Sequence, residues 1–230
     1  MFASFDFEVI VRTLPFLFLD GMTFTLRLTL MAALGGVVIG TLMAMMRLSG
    51  FAPLSIVSAT YVNLFRSLPL LLVIFWFYFL IPWIAMWITD AERPIPVGAF
   101  MSALITFTLF EAAYFAEIMR SGIQSVTKGQ TAAGYALGLN YWQVMGHVVL
   151  PQAFRNMAPV LLTQTIVLFQ DTSLVYVLSL TDFLGAASKI AQRDFRLVEM
   201  YLFAALIYFL ISFALSSLVR RLQSRIAIVR

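Results

Sequence analysis

Apolar residues along the chain are gathered into five long runs separated by more polar stretches. A helix needs about 20 apolar residues to cross the hydrocarbon core of a bilayer. Met22–Met46, Leu68–Ile88, Val97–Met119, Ala153–Leu180 and Leu197–Val219 each meet that length. Arg47 closes the first run, and Arg220 with Arg221 stops the last. Pro53 to Arg66 reads as an amphipathic lead into the second run, and Pro159 as a place where the fourth can kink. The pattern predicts an all-α integral membrane protein of five transmembrane helices, forming a single transmembrane domain over residues 1–230. Before the first run stand Asp6 and Glu8 with no basic segment, so the start is expected to be retained as a short interfacial helix and not a signal peptide.

Composition agrees. The chain is 62% hydrophobic and 11% charged, whereas soluble domains carry roughly 25% charged residues. There is no cysteine, and His147 is the sole histidine, so neither a disulfide framework nor a metal centre is expected. The distribution of charge is more telling than its sum. The stretch before Met22, the Thr89–Pro96 loop and the Thr181–Glu199 loop hold five basic residues (Arg12, Arg93, Lys189, Arg193, Arg196) and eight acids (Asp6, Glu8, Asp20, Asp90, Glu92, Asp182, Asp194, Glu199). The alternate segments hold nine basic residues and no acid: Arg47, Arg66, Arg120, Lys128, Arg155, Arg220, Arg221, Arg225 and Arg230. Basic loops stay in the cytoplasm. The expectation is an N-terminus outside and a C-terminus inside, with the basic residues touching anionic lipid and not nucleic acid.

One cytoplasmic connection is too long for a turn. Gly129–Pro151 exceeds the roughly 2–8 residues that join helices in bundles. Ser121 to Tyr135 can continue the third span as a helix, which Gly138 ends in a left-handed conformation. Asn140 suits the N-cap of a second short helix through Val149, and Pro151 the first turn of the fourth span. The tip is small and apolar (Ala132, Ala133, Gly134, Ala136), with Tyr135, Leu137, Leu139, Tyr141 and Trp142 around it. Such a hairpin can either fill a socket in a partner or lie on lipid head groups.

The spacing within this hairpin resembles the cytoplasmic EAA loop of permease subunits in bacterial binding-protein-dependent ABC importers: E-A-A, three residues, Gly, nine residues, Ile-x-Leu-Pro. Ala132-Ala133-Gly134 stand in the first positions, Gly138 follows at the same interval, and Val148-Val149-Leu150-Pro151 closes the pattern. Ala132 replaces the glutamate and Gly134 the second alanine. Other segments resemble the polar amino-acid branch of that family: Tyr61 to Leu71 with Arg66 and Pro69; Ala113 to Ile123 with Glu117, Arg120 and Gly122; Gly129-Gln130; Leu150-Pro151-Gln152-Ala153-Phe154-Arg155; and Gln170-Asp171-Thr172-Ser173-Leu174. Within the branch the chain is most like a glutamate/aspartate permease.

What this resemblance implies is a type I importer permease of the bacterial inner membrane whose loop, about residues 121–151, docks on an ATPase. No Walker A pattern occurs around Lys128 or Lys189, so ATP and magnesium are expected on a dimeric ATPase partner, and the chain is not expected to be an enzyme. A second permease, paralogous or identical, would complete the path, and a periplasmic solute-binding protein would deliver substrate. A stand-alone ion-coupled transporter would show paired repeats, and none stands out.

Ionisable groups inside spans are costly and often functional. Arg27 is expected to snorkel, and Glu117 to pair with Arg120 or Arg155. Glu111, deeper, either lines the path or bonds a neighbouring helix. Thr163, Gln164, Gln170, Asp171, Thr172 and Ser173 gather in the fourth span, with Gln164 and Asp171 on one face. The resemblance makes them candidate path residues. The neutral Gln164 suits an acidic amino acid, and equally a neutral one such as glutamine, while Asp171 is alternatively a structural anchor.

Overall fold

In the computed structural model, residues 5–226 are described; Arg230 lies outside them, and of Arg225 only the backbone is included. All regular structure among the described residues is helical. The elements are α1 (Phe7–Pro15), a π turn (Phe16–Met22), α2 (Thr23–Leu48), α3 (Ala52–Ser67), α4 (Leu70–Thr89) and α5 (Ala99–Gln124). Next come α6 (Lys128–Ala136), α7 (Tyr141–Val144), a second π turn (Met145–Val149) and α8 (Leu150–Asp171). A 3₁₀ segment (Thr172–Leu178), α9 (Phe183–Arg193) and α10 (Leu197–Ile226) complete the chain. Five runs are long and apolar enough to cross a membrane: Phe7–Leu48, Leu70–Thr89, Ala99–Gln124, Tyr141–Leu178 and Leu197–Ser224. The expected number of spans is therefore present.

Three boundaries differ from expectation. The N-terminal residues are not a separate interfacial helix but the start of a 42-residue run. Pro15 lacks the N–H that would bond the Val11 carbonyl, and the wider π turn that follows absorbs the mismatch without breaking the helix. The helix that carries the fourth span already begins at Tyr141, so Pro151 lies just past a π turn inside a continuous helix, and its last turns tighten to 3₁₀ from Thr172. Finally, α5 stops at Gln124. Ser125 turns its hydroxyl onto the Gly122 carbonyl (2.7 Å) and Thr127 is extended, so α6 is not a continuation of α5.

Hydroxyls within the spans bond their own helix. Thr29, Thr41, Thr106, Thr163 and Thr165 each donate to the carbonyl four residues back, at 2.7–2.9 Å. This satisfies them where lipid offers no partner.

Two compact units are distinguished. The first comprises Met1–Ala33, Pro69–Thr108 and Ile166–Ser216. Its core packs Leu17, Phe169, Phe183, Ile190 and Met200 around α9. The Phe183 amide donates to Thr25 Oγ1 at 3.0 Å, and buried Asp182 caps α9 by accepting from the Leu184 and Gly185 amides, both at 3.0 Å. The second comprises Leu34–Leu68, Leu109–Thr165 and Ser217–Arg230. There α2 meets α5 at Gly36 and Gly40: a Cβ on Gly40 would lie 2.8 Å from the Ala116 amide nitrogen and 2.9 Å from the Ala112 carbonyl. Backbone cannot yield as a side-chain tip can. The middle of α3 is tied in by Ser58 donating to the Met43 carbonyl (2.7 Å) and Tyr61 to the Leu109 carbonyl; burial pushes the Tyr61 hydroxyl up to about 12.

Gly40→Ala should therefore destabilise the chain by about 1–3 kcal/mol through overpacking, seen as a lower thermal midpoint in detergent. A second expectation concerns pH. Burial pushes Asp182 up to about 7, against the pull of the two amides and Lys189. A carboxyl raised on folding binds its proton more tightly in the folded state, so stability falls as pH rises from about 4 to that value. Asp182→Asn keeps an oxygen for the cap and should be more stable than the parent near pH 8 but not near pH 5, in the same melting experiment.

Candidate functional site

The hairpin of α6 and α7 is built by its two caps. At the end of α6, Gly138 has φ +79°. Its amide bonds the Tyr135 carbonyl (2.9 Å) and the Leu139 amide bonds the Gly134 carbonyl (3.2 Å), the two bonds of a Schellman motif. Asn140 then opens α7 with a reciprocal capping box: its Oδ1 accepts from the Gln143 amide (3.0 Å) and Gln143 Oε1 from the Asn140 amide (2.9 Å). Left-handed Gly138 and cap Asn140 thus stand as the spacing predicts.

Side chains sort into two faces. Val144, Met145 and Val149 are buried with Leu139, Leu150, Met45, Ile123 and Val126, so the hairpin shares a core with the ends of α2 and α5. Ala132 and Ala133 are exposed, as are Tyr135, Leu137 (82%) and Trp142 (71%). Gly134 is buried, and a Cβ there would meet Val144 Cγ2 at 3.0 Å, which favours glycine at that position. At the base, Gln152 Nε2 donates to Gln130 Oε1 (2.7 Å) and Asn156 to Ser125 Oγ (2.8 Å); Gly129 and Pro151 are exposed beside them.

Above the hairpin lies a charge cluster. Glu117 takes both Arg47 and Arg120, the latter through Nε at 2.9 Å and Nη2 at 2.7 Å. Arg120 also donates to Gln124 (2.9 Å). The Arg120 pairing is as expected, whereas the second partner is Arg47 from α2 and not Arg155, which is exposed on α8. Arg66 lies over the Tyr114 ring, 5.6 Å from its centroid.

The candidate path residues do not gather into one site. Within the second unit, fully buried Glu111 accepts from Gln164 Nε2 at 3.0 Å, so the bond to a neighbouring helix is the arrangement observed. Thr163 is exposed, its hydroxyl turned onto the Pro159 carbonyl. Within the first unit, Gln170 donates to Ser212 Oγ (3.0 Å), Thr172 is buried with its hydroxyl on the Phe169 carbonyl (2.7 Å), and Asp171 and Ser173 are half-buried. Asp171 is the last α-helical residue and Thr172 and Ser173 are 3₁₀, so the six do not share one regular helix. Two contacts escaped the sequence reading: Asp182 as the α9 cap, signalled by an Asp before a helical run, and Arg12 bonding Asp194 at 2.7 Å, which no local pattern announces.

Comparison with known proteins converges on one family. Residues 36–228 match the family described as binding-protein-dependent transport system inner membrane component. The chain is 50% identical over 224 residues to the glutamate/aspartate import permease protein GltK of Escherichia coli O6:H1, covering 97% of this chain and 99% of that one. It is 32% identical to the glutamine transport system permease protein GlnP of Escherichia coli K12, over 98% of this chain and all of that one. Among solved structures it is similar to an amino acid ABC transporter crystallised with histidines, with TM-score 0.78, 31% identity, and 96% and 98% of the two chains covered.

Because Glu117 holds two half-buried guanidinium groups, Glu117→Ala should cost on the order of 1–3 kcal/mol of stability. Adding Arg47→Ala should restore part of the loss, since the unpaired cation goes with it; a double-mutant cycle of melting in detergent reads the coupling.

Proposed function

The chain belongs to the binding-protein-dependent transport system inner membrane components, and from that premise we propose that it forms part of the translocation path for glutamate or aspartate and takes its driving force through the α6–α7 hairpin. It is a permease subunit and not an enzyme; ATP is bound by the partner ATPase. The carrying observation is the hairpin's division into a face packed on α2 and α5 and an exposed face of Ala132, Ala133, Tyr135, Leu137 and Trp142. A small, apolar, aromatic-edged surface held by two caps suits a groove in a partner. Closure of a dimeric ATPase around that surface would move the second unit's helices through the shared core. A second permease, paralogous or identical, would enclose the path, with the basic hairpin side in the cytoplasm and the acid-rich loops facing the solute-binding protein. Lipid contacts the spans.

Relatedness to GltK supports the acidic substrate class; GlnP is less similar, which leaves glutamine as the alternative. Of the candidate path residues, Gln170 is exposed and Asp171 and Ser173 are half-buried, whereas Glu111 and Gln164 serve each other in this conformation.

Proteoliposomes holding the full importer test this reading. Labelled glutamate uptake should require the ATPase and be competed by aspartate and not by glutamine. Gly138→Val strains a left-handed turn although space is open around it. Gly138→Asp tolerates the turn better but sets a charge in the docking face. Both should lower uptake about tenfold or more, the effect of roughly 1.4 kcal/mol of lost docking energy, with normal membrane insertion. Normal uptake by both would refute the coupling role.

A further inference from the structure

Among the described residues, four adopt positive φ: Gly138, Asp90, Ser179 and Phe195. Glycine does so freely, and a short polar residue such as Asp bonds locally in this region. Phe195 does neither. It occupies, at φ +56°, the position after the α9 cap that Gly138 occupies after α6, with the Arg196 amide bonding the Ala191 carbonyl (3.0 Å) as Leu139 bonds Gly134. It is also 90% exposed. The ring is thus unfavourable to the local backbone and gains nothing from burial within the chain. A large aromatic held in such a conformation by its surroundings, and left in the open, points to recognition.

Its surroundings are tied together by ion pairs. Asp194 is bound by Arg12 (2.7 Å) and Arg193 (2.8 Å), and Arg196 reaches Glu199 (3.3 Å) and Asp6 (3.6 Å). In the Asp194 pairs the carboxylate turns inward and the cations outward: the Asp194 side chain is 14% exposed, Arg12 58% and Arg193 65%. The ion pairs hold Asp194 well below the usual carboxylate range. Beside the turn lies a hollow of about 460 Å³ lined by Arg12, Arg193 and Asp194 with Thr13, Phe16 and Ile190.

We propose that Phe195 is the anchor by which the solute-binding protein grips this subunit, its ring entering an apolar pocket whose carboxylate rim meets Arg12 and Arg193. The assignment rests on the outward orientation of the Thr181–Glu199 loop proposed above. Aromatic and arginine side chains dominate binding hot spots, and complementary charge steers encounter. A ring flanked by Arg193, Asp194 and Arg196 sits among charged groups suited to a protein partner.

The test uses the reconstituted importer with its own binding protein. The chain has no cysteine, so Phe195→Cys gives a unique label site. A membrane-impermeant thiol reagent should reach it from the outer side; labelling only from the cytoplasmic side would overturn the orientation and the anchor with it. Phe195→Gly removes the ring while suiting the turn, so its melting temperature should not fall. The binding-protein concentration that half-stimulates ATP hydrolysis should nevertheless rise about tenfold to a hundredfold, as loss of a hot spot implies. Phe195→Trp should stay within about threefold of the parent. Outer-side labelling with an unchanged half-stimulating concentration in Phe195→Gly would overturn the anchor alone. An environment-sensitive probe on Phe195→Cys that is already buried before binding protein is added would place the ring against lipid or a neighbouring subunit, and also overturn it.

Discussion

A bilayer core offers backbone amides no hydrogen-bonding partner, and the architecture follows from that constraint. Each unpaired group in hydrocarbon costs several kcal/mol, so the chain keeps its helices unbroken even where the sequence invites a break. Pro15 is carried through by an adjacent π turn, and the fourth span tightens to 3₁₀ without stopping. Hydroxyls fold back on their own carbonyls. With propensity overruled inside the spans, conformational choice is confined to the connections. Both candidate recognition surfaces are found there.

Those connections reuse one device. α6 and α9 both end in a left-handed residue closed by a bond from the following amide to a carbonyl five residues back. In α6 that residue is Gly138, and the turn serves only to reverse the chain so that Asn140 can start α7. In α9 it is Phe195, and the same turn projects a ring into solvent. Identical backbone geometry with opposite residue choice separates a turn that shapes a surface from one that presents a side chain.

Five spans and the hairpin were legible because their signals are local. Hydrophobic run length, Gly138 at a helix end and Asn140 before one each act within a few residues. Run length does not say where a helix begins once neighbouring polar residues can also be helical, which is why the N-terminal segment and Tyr141–Val149 extend their spans. Side-chain pairings were legible only when the partner lay one turn away on the same helix. Arg120 is three residues from Glu117 and was expected; Arg47 is seventy residues away, and the choice between it and Arg155 depends on packing no local rule encodes. Glu111 illustrates the same limit: its partner Gln164 stood among the candidate path residues, yet nothing in the spacing joins the two.

The charge cluster and the hairpin belong to one mechanical problem. A docking surface transmits motion only if it is joined to the spans more firmly than to itself, because a hinge at its base would dissipate the movement. The second unit meets this requirement twice. Apolar packing ties Val144 and Val149 to Met45 on α2 and Ile123 on α5, and the same two helices are clamped by Arg47 of α2 on Glu117 of α5, a carboxylate that Arg120 also holds from within α5. The close approach at Gly40 adds a third contact between them. Fastened at these places, α2 and α5 are built to move as a pair, and under the proposed docking a pull on Ala132 or Leu137 would reach them through the buried side of the hairpin. If the hairpin docks as proposed, the close packing of Gly134 on Val144 would then matter to coupling as much as the exposed residues a partner would touch.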